Sequence, residues 1–125
     1  MADVTVKRLD EFDTNFGGSM KLVRHGLGVQ SFGIQVIDMP AKADQYPEHD
    51  HSESGQEEIY TVLQGSAMLT TGDEEHRLEP GIFARVGPRE RRKIVTGGEG
   101  ARILAIGGTA GKPYEIWTRS MPQQQ

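Results

Sequence analysis

Glycine and proline punctuate this chain so closely that no segment carries a 3.6-residue apolar period over 11 or more residues. What remains between the breaks is a series of short apolar runs. "VTVKRL" (4–9), "MKLVRH" (20–25) and "GVQSFGIQVIDMP" (28–40) lead. "EIYTVL" (58–63) and "SAMLTT" (66–71) flank Gly65, and "EEHRLE" (74–79) follows a Gly72-Asp73 turn. "IFARV" (82–86), "RRKIV" (91–95), "ARILAIG" (101–107) and "YEIWT" (114–118) complete the set. Roughly ten candidate strands with turn signals between them predict an all-β sandwich or barrel. "DEFDTNF" (10–16) offers one helical turn at most, and the "PQQQ" end reads as a frayed tail.

Length and charge bound what such a barrel can be. At 125 residues the chain has room for one core and not two, so a single domain over 1–125 is expected. Its core is expected over about 20–118, with 119–125 a flexible tail. The hydrophobic fraction of 35% excludes 16 glycines, and counting them returns the chain to ordinary globular composition. With 14 basic and 18 acidic side chains the net charge is −4, which gives no electrostatic reason to expect nucleic acid or an anionic membrane. There is no cysteine, hence no disulfide framework and no thiolate ligand or nucleophile. "MADVTVKRLDEFD" lacks the basic-then-apolar pattern of a secretion signal, and no apolar run approaches the roughly 18 residues of a membrane helix. The expectation is a soluble cytoplasmic protein.

The chemistry gathers in "PEHDHSESGQEEIYTVLQG" (47–65). In a strand, residues i and i+2 point the same way, about 6.6 Å apart along the chain. His49 and His51 then project from one face and Asp50 from the other. On the following strand Glu58, Tyr60 and Val62 share a face. A carboxylate that opens a buried strand is costly to desolvate unless a cation neutralises it, and a metal ion or an arginine would serve. Tyr60, on the Glu58 face, is expected inside the barrel. His-x-His pairs also occur on surface loops that bind nothing.

His49-x-His51, Glu58 and Gly65 resemble the first motif of the cupins, which runs glycine, five residues, His-x-His, three or four residues, glutamate, six residues, glycine. "HRLEPGIFARVGP" (76–88) resembles the second, with Leu78, Pro80 and Gly81 in their usual places. The resemblance implies a cupin double-stranded β-helix (jelly-roll) barrel. It also implies a divalent metal ion (Fe, Mn, Ni or Zn) held by His49, His51 and Glu58. Pairing through the sheets into a homodimer follows from the same resemblance. The departures are specific. Ala43 replaces the first glycine, the gap "SESGQE" between His51 and Glu58 is longer than usual, and the third histidine falls at Arg92. No histidine lies beyond His76, so no register restores it.

A guanidinium is always charged and has no acceptor, so Arg92 cannot ligate a cation. Two states are open. In one, Arg92 forms a bidentate ion pair with Glu58 and the barrel holds no metal, leaving a small-ligand binding or sensing domain. In the other, His49, His51 and Glu58 make a two-histidine, one-carboxylate face on the metal, and Arg92 swings aside to bind a substrate carboxylate. The second state suits a metal-dependent dioxygenase or isomerase acting on a small anionic molecule, with Arg92 and Tyr60 as substrate-binding residues. His76 and Gln56 are further candidate ligands. The basic run "RERRK" (89–93) splits between the two faces of a strand, so no nucleic-acid partner is expected. "GGEG" (97–100) and "GGTAG" (107–111) read as turns, and Tyr114 and Trp117 as caps on the core or an interface.

Overall fold

The computed structural model describes residues 2–114. After a 3₁₀ turn at Leu9–Glu11 come β1 (Thr14–Asn15), β2 (Met20–Lys21), helix α1 (Val23–Leu27) and β3 (Gly33–Met39). Then follow β4 (Glu57–Thr71), β5 (Glu74–Leu78), β6 (Phe83–Val86) and β7 (Lys93–Gly108). All pairings between these strands are antiparallel, in the order β1-β2-β3-β7-β4-β5, with β6 also on β4. This is the all-β jelly-roll architecture expected from the sequence. No helix among the described residues is long and apolar enough to cross a membrane.

Two long strands organise everything else. The first half of β4 runs between β7 and β6, with Glu58 opposite both Gly107 and Val86. Its second half runs between the start of β7 and β5, with Leu69 opposite both Ile94 and His76. The β4–β7 register slips between Val62 and Gln64 and again between Gly65 and Ala67. Such irregularities add twist and let a ladder turn. At the second slip Gly65 has φ +77°, and a Cβ there would run into the Gly100 carbonyl oxygen. Gly100 in turn has φ +69°, and a Cβ on it would lie 2.6 Å from the Met39 carbonyl oxygen. Three backbones therefore cross at a point where only glycine fits.

The inward faces bury Ile37, Met39, Tyr60, Val62, Ala67, Leu69, Ile94, Ile103 and Ala105, with Met20, Leu22, Leu78 and Val86 closing the core. Along β4 Tyr60 and Val62 are buried inward while Ile59 and Leu63 are exposed, and Thr61, on the other face, is also buried, its hydroxyl donating to the Ile82 carbonyl at 2.9 Å.

Seven strands form among the described residues, where the sequence suggested roughly ten. The runs 58–63 and 66–71 are one strand, and so are 91–95 and 101–107, because Gly65 and Gly97–Gly100 are irregularities within continuous ladders rather than ends. The run 4–9 has no strand partner among the described residues. The run 20–25 splits into a two-residue strand and α1, which Gly28 ends at φ +79° by donating to the Arg24 and His25 carbonyls. Beyond Tyr114, the candidate strand 114–118 with Trp117 and the tail 119–125 lie outside the described residues.

Candidate metal centre

Local backbone contacts bring the two histidines together. His49 forms a β-bridge with Arg92, each amide donating to the other's carbonyl at 3.0 and 2.9 Å. His51 N–H donates to Pro88 O at 2.8 Å, and Gly55 N–H returns to His51 O at 2.8 Å. The long gap before Glu58 is thus taken up by a tight turn over Ser52–Gly55. The two imidazole rings meet edge to face, 4.9 Å between centroids.

Glu58 meets them from β4. Its Oε1 lies 3.5 Å from His49 Nε2 and 3.2 Å from His51 Nε2. Ligand atoms of all three residues lie within 4.8 Å of one another, a group that could hold a metal ion. The same Oε1 accepts hydrogen bonds from Tyr60 OH and from Arg92 Nη1, the latter at 2.7 Å. Tyr46 OH lies 3.3 Å from Tyr60 OH, so a line of hydroxyls leads to the carboxylate. Burial alone would raise the Glu58 pKa. Its contacts with His49, His51 and Tyr60 outweigh that and hold it well below the usual carboxylate range. Burial and the nearby Glu58 charge push the Tyr60 and Tyr46 phenols above their ordinary value, so both stay protonated.

His49 sets the charge that the group demands. Its Nδ1 faces the Pro47 carbonyl at 2.9 Å, a contact that requires a proton on Nδ1. Its Nε2 faces a carboxylate oxygen. Both contacts are attractive only if the ring is doubly protonated or if a metal ion sits between Nε2 and the carboxylate. A ligating histidine ordinarily donates its other N–H to a carbonyl, as His49 does here. The donor set of two imidazoles and one carboxylate therefore fits a divalent ion.

Arg92 completes the pocket and corrects one expectation. Its contact with Glu58 is through Nη1 alone, not bidentate. Nη2 donates instead to Gly87 O at 2.6 Å and Nε to Glu90 O at 3.0 Å. Backbone carbonyls of the preceding loop compete for the fork, so the guanidinium is anchored at three points. Gln56 is buried beside the site: a Cβ on Gly107 would lie 3.3 Å from its Oε1 and 3.4 Å from Glu58 Cγ. His76 is elsewhere, exposed and paired with Glu74 at 3.0 Å.

The centre is sealed. His49 and His51 are each 3% exposed, Glu58 7%, and Arg92 and Tyr60 0%. Glycines at 33 and 107, in the same cross-strand row as Glu58, leave room beside it. Tyr114 reaches into that room, its hydroxyl 2.6 Å from where a Gly33 Cβ would lie. Tyr46, whose ring is 5.6 Å from His49, and Tyr114 are the two contributors that sequence reasoning did not place in this pocket. Both sit outside strands, where no period-two rule gives a direction.

Comparison with known proteins follows this geometry. The model of the family described as "Cupin domain" matches residues 35–107. No curated protein matches the chain. Among solved structures, a cupin protein from Bacteroides fragilis aligns with TM-score 0.73 at 22% identity, over 100% of this chain and 99% of the other. A sugar phosphate isomerase of the cupin superfamily from Silicibacter pomeroyi gives 0.70 at 20%, over 94% and 85%. A Cupin 2 conserved barrel domain protein from Salinispora arenicola gives 0.56 at 20%, over 63% and 64%.

Proposed function

This chain belongs to the cupin-domain family, and from that premise we propose that it binds a divalent metal ion on His49, His51 and Glu58 and takes a small anionic molecule in the barrel. The observation that carries the reading is the buried convergence of His49, His51 and Glu58, whose ligand atoms lie within 4.8 Å of one another while His49 Nδ1–H donates to the Pro47 carbonyl and leaves Nε2 facing the carboxylate. A bound ion would supply Lewis-acid polarisation or, as iron, an oxygen-activating centre, suiting an isomerase or a dioxygenase.

The chain's own groups do the rest. Three of the five N–H donors of Arg92 are engaged, which fixes its charge beside the carboxylate and leaves donors for an anionic substrate group. Tyr60 holds a proton at its hydroxyl, in contact with Glu58. Burial excludes water, so each charge acts at short range in a low dielectric. Substrate entry requires movement of the groups that seal the centre, among them Tyr114 and Gln56, which pack beside Gly33 and Gly107. We place the working form as a homodimer paired through its sheets.

A second reading has its own observation. With Arg92 2.7 Å from Glu58 Oε1, the carboxylate already has one buried cation. The barrel would then be a metal-free binding or sensing pocket. Elemental analysis of the purified protein, together with thermal shifts on adding Mn, Fe, Ni or Zn, separates the two. A stoichiometric ion that is lost in His49→Ala/His51→Ala supports the metal reading. A metal-free wild type with no metal-dependent shift overturns it in favour of the second.

A further inference from the structure

Two glycines stand side by side in the sheet, Gly33 on β3 and Gly107 on β7, and Gly107 pairs in turn with Glu58. Cross-strand partners share a face, so this row fronts the barrel interior. Neither glycine has a left-handed φ, so backbone conformation does not require it. A strand glycine weakens its strand, and where neither bulge nor turn explains it the remaining reason is the close approach of another group. Two buried carboxamides flank the pair. Gln35 follows Gly33 on the same inward face, and Gln56 Oε1 lies 3.3 Å from where a Gly107 Cβ would be. The strands thus hold a slot free of side chains beside Glu58, edged with hydrogen-bonding groups.

What fills the slot comes from outside the sheet. A Cβ on Gly33 would strike Tyr114 at Oη, Cε1 and Cζ together, at 2.6, 2.7 and 2.7 Å. The Arg24 guanidinium of α1 lies over the same ring, 5.4 Å from its centroid, a cation–π arrangement. Arg24 Nη1 also donates to the Val29 carbonyl at 3.0 Å, which anchors the guanidinium independently of the ring. The phenol feels both neighbours. Burial pushes its pKa up to about 12, the Arg24 charge opposes that, and the Glu58 charge adds to it. The slot is built on strands, but its occupant is not. Tyr114 lies outside every strand, and residues 110–113 leading to it are exposed. A flat hydroxylated ring on an exposed segment, seated between strand-borne walls, is an exchangeable occupant.

We propose that this slot is a subsite for the aromatic ring of a small carboxylate, that Tyr114 fills it in the free protein, and that the ligand's ring takes the phenol's place against Gly33 and Arg24. A bare peptide backbone and a guanidinium present flat surfaces, which favour a planar ring over a puckered one. The ligand's carboxylate lies at the Glu58 end of the slot, where Arg92 offsets the Glu58 charge and supplies a donor. Gln35 and Gln56 stand where substituents on the ring would be read. The inference rests on the reading of the barrel as a pocket for a small anion; it adds the ring and the residue displaced, and it needs no metal.

Calorimetric titration of the full chain with benzoate, and with cyclohexanecarboxylate as the puckered control, tests it. Tyr114→Ala is expected to bind benzoate at least tenfold more tightly than wild type, with a smaller gain for the control. Adding Gly33→Val to Tyr114→Ala refills the slot and is expected to reverse the gain. A second measurement needs no destabilising variant. With fluorotyrosine in the wild-type chain, the Tyr114 fluorine resonance, assigned by its loss in Tyr114→Phe, is expected to shift as benzoate saturates. No benzoate binding by wild type or Tyr114→Ala overturns the proposal, as does a Tyr114 resonance that stays in place at saturation. An equal gain for both carboxylates overturns the preference for a planar ring. Elemental analysis of the same samples keeps the two readings apart. Benzoate gain in metal-free protein leaves the subsite standing without the metal, and bound metal without the gain does the reverse.

Discussion

Arg92 Nη1 lies 2.7 Å from Glu58 Oε1, the same carboxylate oxygen that faces both imidazoles. A guanidinium and a metal ion therefore compete for one oxygen. Replacing Arg92 with histidine removes the competing charge and restores a third imidazole across the bridge from His49. Arg92→His is expected to bind divalent metal at least tenfold more tightly, about 1.4 kcal/mol, measured by competition with a chelator. Arg92→Met, which leaves Glu58 buried without its partner, is expected to cost about 3–5 kcal/mol in the absence of metal.

Acid should erase the worth of Glu58. Folding holds its pKa below the ordinary value, so the unfolded chain binds the proton more readily. The contribution is complete above the unfolded carboxyl's pKa of roughly 4.3. It is lost as pH falls from there through the folded value. Urea midpoints of wild type and Glu58→Gln should differ widely at pH 7 and draw together as the pH is lowered through the acid range. An unchanged gap would contradict the depressed value.

Tyr60→Phe removes the donor to Glu58 and the contact with the Tyr46 hydroxyl, with no change in ring packing. The expected loss is about 1–3 kcal/mol, the range for leaving buried polar atoms unsatisfied. Because Glu58 then has one donor fewer, the acid transition should also move to higher pH.

Gly65→Ala should be far costlier than Gly97→Ala. The first adds a Cβ against the Gly100 carbonyl in a left-handed backbone, a conformation that alone costs about 1–2 kcal/mol. The second adds a Cβ with nothing within 4 Å. Thermal denaturation of both, side by side, checks the contrast.

The convergence of His49, His51 and Glu58 was legible mainly from the resemblance to the first cupin motif; the i, i+2 spacing put both imidazoles on one side but was equally compatible with a surface loop. Arg92 was legible by counting, and the bridge to His49 agrees with that count. What the sequence could not show was which donor each atom prefers. The choice of Gly87 and Glu90 carbonyls over a second carboxylate contact is decided by backbone groups whose positions depend on the whole loop. Gly65 misled for a related reason. A glycine with left-handed φ ends a strand or bends one, and only its contact with Gly100, thirty-five residues on, distinguishes the two. Val4 and Val6 alternate like any strand, but period two does not tell a chain whether a neighbour exists.

β4 and β7 each run the full length of the barrel and each serve both of its halves. There is no seam along which one half could peel away, since opening either means breaking the two strands that hold the other. Loss of structure should accordingly be all-or-none, with the slowest-exchanging amides of both halves sharing one opening free energy.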